Sequence, residues 1–137
     1  MELNFYNSDN IRINLNKALI VKRFEKIAFF ERKNIDYINY VFVNDRSIKL
    51  YNTKYLHHSY PTDIITFDYS QFNVISGDIY ISIDTVKFNA KKFNVSFAIE
   101  LNRVVLHGLL HLMGYKDKTP SDIKVMRFKE NYYLQLF

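Results

Sequence analysis

The segment from Val104 to Met113 constrains this chain more than any other. It is apolar except for His107 and His111, and Gly114 follows it directly. Such a run reads as a helix, and a spacing of four puts both imidazoles on one face, a turn apart. Two neutral imidazoles so placed can grip one zinc ion. Gly114 stands where a helix commonly stops by entering the left-handed conformation. A chain that reverses there brings Asp117 back toward the histidines as a third ligand. Three protein ligands leave a tetrahedral zinc one open position for water, the layout of a catalytic site. The competing reading is a pair of unrelated histidines and, between Lys116 and Lys118, a solvated aspartate in a turn. The apolar setting favours the metal, because imidazoles among leucines and valines need partners.

With 137 residues the chain, 1–137, reads as a single domain with room for a real core. It has no cysteine, which excludes disulfides and thiolate metal sites. Nineteen Lys and Arg against fourteen Asp and Glu give a net charge of +5, which favours anionic partners without specifying them. The first residues lack a secretory pattern and no apolar run is long enough to cross a bilayer. A cytoplasmic protein without membrane contact is therefore the default expectation, and a monomer the default oligomeric state.

The patterning predicts alternating elements. A short strand is expected at Leu3 to Tyr6. An amphipathic helix follows over Ile11 to Arg32, with a stripe of Leu15, Ala18, Leu19, Phe24, Ile27 and Phe30. Asp36 to Val43 alternates as a strand, and Asp45 caps a helix over Arg46 to Leu56. His57 to Pro61 reads as a loop. Strands follow at Asp63 to Tyr69 and, opened by Gly77-Asp78, at Ile79 to Ile83. Asp84 caps a short helix through Phe93, Ser96 caps the histidine helix, and Pro120-Ser121 open a last helix through about Leu134. This order predicts a mixed α/β, or α+β, domain with a partly parallel sheet.

Gly108 narrows the chemistry. In the zinc-protease pattern His-Glu-x-x-His the glutamate is the general base. With glycine there, a hydrolase must rely on water activated by the metal, another carboxylate, or a group of the substrate. Glu100 and Arg103 lie near the histidine face. They read either as an intrahelical pair or as cleft residues, Arg103 meeting phosphate and Glu100 acting as base.

Three motifs resemble the YbeY family of endoribonucleases, the bacterial rRNA maturation factors. His107-Gly-Leu-Leu-His111-Leu-Met-Gly114-Tyr-Lys-Asp117 is similar to the family's His-Gly-x-Leu-His-Leu-x-Gly-Tyr-Asp-His. Pro61-Thr62-Asp63-Ile64-Ile65-Thr66-Phe67 resembles Pro-Thr-Asp-Val-Leu-Ser-Phe, and Gly77-Asp78-Ile79-Tyr80-Ile81-Ser82 matches in order and place. Met126 and Glu130 fit the family's closing helix. The resemblance implies a zincin-like fold: a twisted mixed sheet of about four strands, a cleft along the edge strand bordered by Gly77 to Ile83, and the metal helix beneath. It implies one Zn2+ on His107, His111 and Asp117. It also implies metal-dependent cleavage of single-stranded RNA, the 16S rRNA precursor, at the small ribosomal subunit, in maturation and quality control.

Two positions depart from the family pattern. Asp117 stands where the family has its third histidine, with Lys116 at its usual aspartate; an anionic ligand makes the bound water less acidic than a third imidazole would. Leu56 replaces an arginine, so phosphate contact passes to His57, His58, Arg103 or a lysine. Either water or the RNA 2′-hydroxyl can be the nucleophile. Lys87 and Lys91 read as RNA guides or as a solvated face, Tyr80 as a base-stacking or packing residue, and Thr62 and Asp63 as orienting or turn-forming residues. Two alternatives remain: a zinc metalloprotease of metzincin-like architecture, and a non-catalytic ribosome assembly factor.

Overall fold

The computed structural model describes residues 1–56 and 63–137, and the side chains of all of these except 55 and 56. Its elements run β1 (Glu2–Asn7), α1 (Lys17–Glu31), β2 (Asn34–Val43), α2 (Asp45–Leu56), β3 (Ile64–Asp68), β4 (Val74–Ser82), α3 (Ile83–Lys92), α4 (Phe97–Leu112) and α5 (Pro120–Leu134). The sheet order is β1-β2-β4-β3. β1, β2 and β4 are parallel, and β3 pairs antiparallel with β4. The partly parallel sheet expected from the alternating elements is present.

The main core lies on one face of this sheet. Ile38, Tyr40 and Phe42 of β2 alternate inward, as their spacing predicts, and meet Leu3, Ile79 and Ile81. Against them pack Ile20, Phe24 and Ile27 of α1, most of α4, and Met126 and Tyr133 of α5. The Tyr40 hydroxyl donates to Val105 O at 2.7 Å, and burial pushes its pKa well up, so it stays a donor. On the other face α2 covers a smaller cluster of Val43, Ile48 and Ile65, with Tyr51, Phe67 and Tyr80 around it.

Several helix starts and one buried stripe differ from the sequence reading. α1 begins at Lys17, not Ile11, because Asn16 caps it by accepting from Leu19 N, and residues 11–15 lie outside any helix. Ile11, Ile13 and Leu15 pack inward at a spacing of two, and the Asn7 side chain bonds both backbone groups of Ile13. The buried stripe of α1 is Ile20, Phe24, Ile27 and Ala28, whereas Leu19 and Phe30 are exposed. Asn44, rather than Asp45, caps α2 by accepting from Ser47 N at 2.8 Å. Ser82, rather than Asp84, caps α3, so Ile83 belongs to that helix. Asp84 instead accepts from Asp45 N.

Two glycines bring α4 close to the sheet. A Cβ on Gly77 would lie 2.7 Å from both Leu112 Cδ2 and the Phe67 carbonyl oxygen. A Cβ on Gly108 would lie 2.8 Å from Ile79 Cδ1 and 3.1 Å from Ile64 Cδ1. Gly77→Ala is expected to cost about 1–3 kcal/mol, since the backbone oxygen cannot yield as a side-chain tip can. Thermal unfolding should then fall by several degrees; an unchanged or higher midpoint contradicts this packing. Among the described residues the edge strand beside this contact is β3. β4, expected to border the cleft, lies one strand in and is paired on both sides.

Candidate metal centre

Ser96 starts α4 by accepting from Ile99 N, and the helix carries His107 and His111 to its last turns. It ends at Leu112, and Gly114, at φ 103°, reverses the chain. The returning loop is pinned at Tyr115, whose hydroxyl donates to Glu31 at the end of α1. Tyr133 and Lys129 of α5 hold the same carboxylate, Lys129 Nζ at 3.0 Å. Asp117 is thereby set with Oδ2 3.3 Å from His107 Nε2 and 3.2 Å from His111 Nε2. One ligand atom from each residue lies within 4.8 Å of the others.

The outward nitrogens decide the chemistry. His107 Nδ1 donates to Glu130 Oε2 at 2.5 Å, and His111 Nδ1 donates to the Tyr115 carbonyl at 2.9 Å. Acceptors at both Nδ1 positions fix the tautomer that leaves each Nε2 with a lone pair. Two lone pairs and a carboxylate oxygen then converge on one point, an arrangement that requires a cation or a shared proton between them. Two nitrogens and one oxygen are a donor set zinc accepts. The residues therefore fit a bound metal ion.

Burial first, and the neighbouring His107 second, hold His111 below its ordinary 6.5 despite the pull of Asp117. A histidine with a lower pKa folded than unfolded binds fewer protons in the native state. Its stabilising contribution is present above pH 6.5 and is lost as pH falls below that value. Metal-free protein is expected to lose stability on acidification from pH 7 by more than the variant His111→Gln does. Equal pH dependence of the two unfolding midpoints contradicts this.

Behind the histidines sits a buried charge network. Glu100 and Glu130 are each only 1% exposed. Arg103 joins them, with Nε 2.8 Å from Glu100 Oε1, Nη2 also on Glu100, and Nη1 3.1 Å from Glu130 Oε1. Burial alone would raise the Glu130 pKa; the hydrogen bond and charge of His107 and the guanidinium of Arg103 outweigh it and lower it. Glu100 and Arg103 form the expected intrahelical pair, and Arg103 also lines a recess beside His107. Glu100 is enclosed with Arg103 and does not face solvent as a base. Glu130 links this network to His107, a role the sequence reading missed. The available signal was an acidic residue on the buried stripe Met126, Glu130 and Tyr133 of α5.

A recess of about 190 Å³ opens beside the centre, lined by Arg103, His107, Asp117, Ile123, Met126, Arg127 and Glu130. Lys87 and Lys91 are exposed on α3 and do not line it. Tyr80 packs edge-on against Tyr51 and Phe67 under α2, on the opposite sheet face. Asp63 is half-buried just before β3. His57, His58, Pro61 and Thr62, and the Leu56 side chain, lie outside the described residues.

A family model described as Endoribonuclease YbeY matches residues 4–137. The chain belongs to the YbeY family. A Flavobacterium johnsoniae relative named Endoribonuclease YbeY is 50% identical over 107 residues, 78% of this chain and 77% of that protein. A Bacteroides fragilis relative of the same name is 39% identical over 132 residues, 96% of this chain and 95% of its own length. The fold is similar to the solution structure of TM1509 from Thermotoga maritima. The TM-score is 0.68 and the identity 28%, over 98% of this chain and 87% of that one. The four-stranded mixed sheet and five helices of this YbeY-family chain bear out the expected zincin-like α+β fold. No single helix among the described residues is long and apolar enough to cross a membrane.

Proposed function

We propose that this YbeY-family protein is a single-strand-specific, zinc-dependent endoribonuclease. It trims 16S rRNA precursors at the small ribosomal subunit, working as a single-domain monomer in the cytoplasm. The observation that carries this reading is the convergence of His107 Nε2, His111 Nε2 and Asp117 Oδ2 in a chain whose relatives are named endoribonucleases. Zinc held by His107, His111 and Asp117 would supply Lewis acidity toward a phosphoryl oxygen and would make bound water more acidic.

The protein's own residues prepare that site. Glu130 and the Tyr115 carbonyl orient the imidazoles and raise their basicity through Nδ1. Arg103 balances Glu130, so the carboxylate stays ionised and a hydrogen-bond acceptor while buried. Gly108 bears on the protease alternative: its Cα faces Ile79 and Ile64, where no glutamate side chain fits. A proteolytic base at that position lacks both the carboxylate and the room.

Asp117→Ala tests the ligand assignment. Losing an outer partner of a metal ligand costs about 10- to 100-fold in affinity, and losing a ligand should cost at least that. Zinc titration of the variant is expected to show the loss together with reduced RNA cleavage, and Asp117→His should retain both. Wild-type zinc affinity in Asp117→Ala removes Asp117 from the site.

A further inference from the structure

We propose that Arg127 is the phosphate-binding residue of this centre, gripping the RNA backbone at the mouth of the recess; the inference rests on the endoribonuclease reading above. Both Arg103 and Arg127 line the recess beside His107 and Asp117. They are not equivalent. Arg103 is 18% exposed, and its Nε, Nη1 and Nη2 all contact Glu100 or Glu130. Each nitrogen of that guanidinium is thus already engaged by a buried carboxylate, so Arg103 is less free than Arg127 to turn toward a substrate. Arg127 is 55% exposed, and its one ion pair among the described residues, to Glu130, spans 3.8 Å, beyond hydrogen-bond distance. Its planar fork is thus open for the two-point contact that arginine makes with phosphate.

Charge points the same way. The recess lining carries the carboxylates of Asp117 and Glu130 and the guanidiniums of Arg103 and Arg127, which balance. A divalent cation leaves two net positive charges. Without Arg127 the loaded recess keeps only one of them, so its attraction for a phosphodiester falls. Position explains the rest: Arg127 follows Met126, which is buried against the core, and stands three before Glu130, which holds His107. The helix that orients a metal ligand therefore also carries the phosphate contact, one turn away.

The test is binding of a single-stranded RNA with 2′-deoxy substitutions that block 2′-hydroxyl attack, titrated against salt with zinc-loaded protein. Arg127→Gln is expected to weaken binding about ten-fold and to reduce the salt slope by about 0.7, the loss of one phosphate contact on a single strand. Arg127→Lys should restore the slope but only part of the affinity. Lys124→Gln removes an equal charge from the solvent side of α5 and should change each far less. Zinc affinity should be unchanged in all three variants. Equal losses in Arg127→Gln and Lys124→Gln, or none in Arg127→Gln, overturn the assignment. Failure of the wild type to cleave unmodified single-stranded RNA would instead remove the endoribonuclease reading.

Discussion

Truncating Glu130 to alanine is expected to lower folding stability by about 3–5 kcal/mol, the cost of leaving a buried charge without its partner. The side chain is 2% exposed and stands between Arg103 Nη1 and His107 Nδ1. Without it, one arm of the Arg103 guanidinium faces a cavity and the His107 ring loses the acceptor that fixes its tautomer. Protein that still folds should bind zinc about 10- to 100-fold more weakly. Glu130→Gln separates the two effects: it keeps the volume and a carbonyl acceptor for Nδ1–H but removes the charge that balances Arg103. It should retain more of the zinc affinity than Glu130→Ala does while still losing stability. Urea unfolding and zinc titration read the two quantities apart. A stability loss near zero in Glu130→Ala would show that Arg103 and Glu100 do not need the third member.

The second large effect is on cleavage. His111→Ala is expected to reduce RNA cleavage roughly a thousand-fold or more, since metal catalysis contributes several kcal/mol of transition-state stabilisation. His111 is the better probe of the two histidines. Its Nδ1 partner is the Tyr115 backbone carbonyl, so truncation takes no partner from a buried carboxylate, whereas His107→Ala leaves buried Glu130 with Arg103 but without its imidazole. Circular dichroism of His111→Ala should match wild type while zinc binding and cleavage disappear. Residual cleavage near wild type in a folded, metal-free variant excludes this centre as the source of activity. If the metal were structural, in an assembly factor without catalysis, the variant would instead fail to fold or would support ribosome assembly unchanged.

Most of the fold was legible because its patterning is strong. The alternation through Ile38, Tyr40 and Phe42 located β2 and its inward face, and Ser96 with Gly114 bracketed α4. The start of α1 was misread because Ile11, Ile13 and Leu15 admit both a helical and an extended reading. The Asn7 side chain, whose bonds to the Ile13 backbone sequence spacing does not reveal, holds this segment outside the helix. Capping was assigned to aspartates at 45 and 84, yet the neighbouring Asn44 and Ser82 take the caps. The freed Asp45 carboxylate accepts from Ser82 and Thr85 instead. At the site, local spacing was sufficient for His107, His111 and Asp117. Their supports were not local: Glu130 is 23 residues from His107, and Glu31 is 84 residues from Tyr115. Only the folded chain brings such pairs together, and one strand period or helix turn carries no trace of them.

The most direct measurement of the central claim is cleavage of a single-stranded 16S precursor fragment by protein stripped of metal and then titrated with zinc. The stripped protein should be inactive. Activity should return in proportion to zinc bound at one site per chain, and Asp117→Ala should not regain it at the same zinc concentration. Undiminished cleavage by the stripped protein, or intact RNA after full zinc loading of the wild type, would contradict the account.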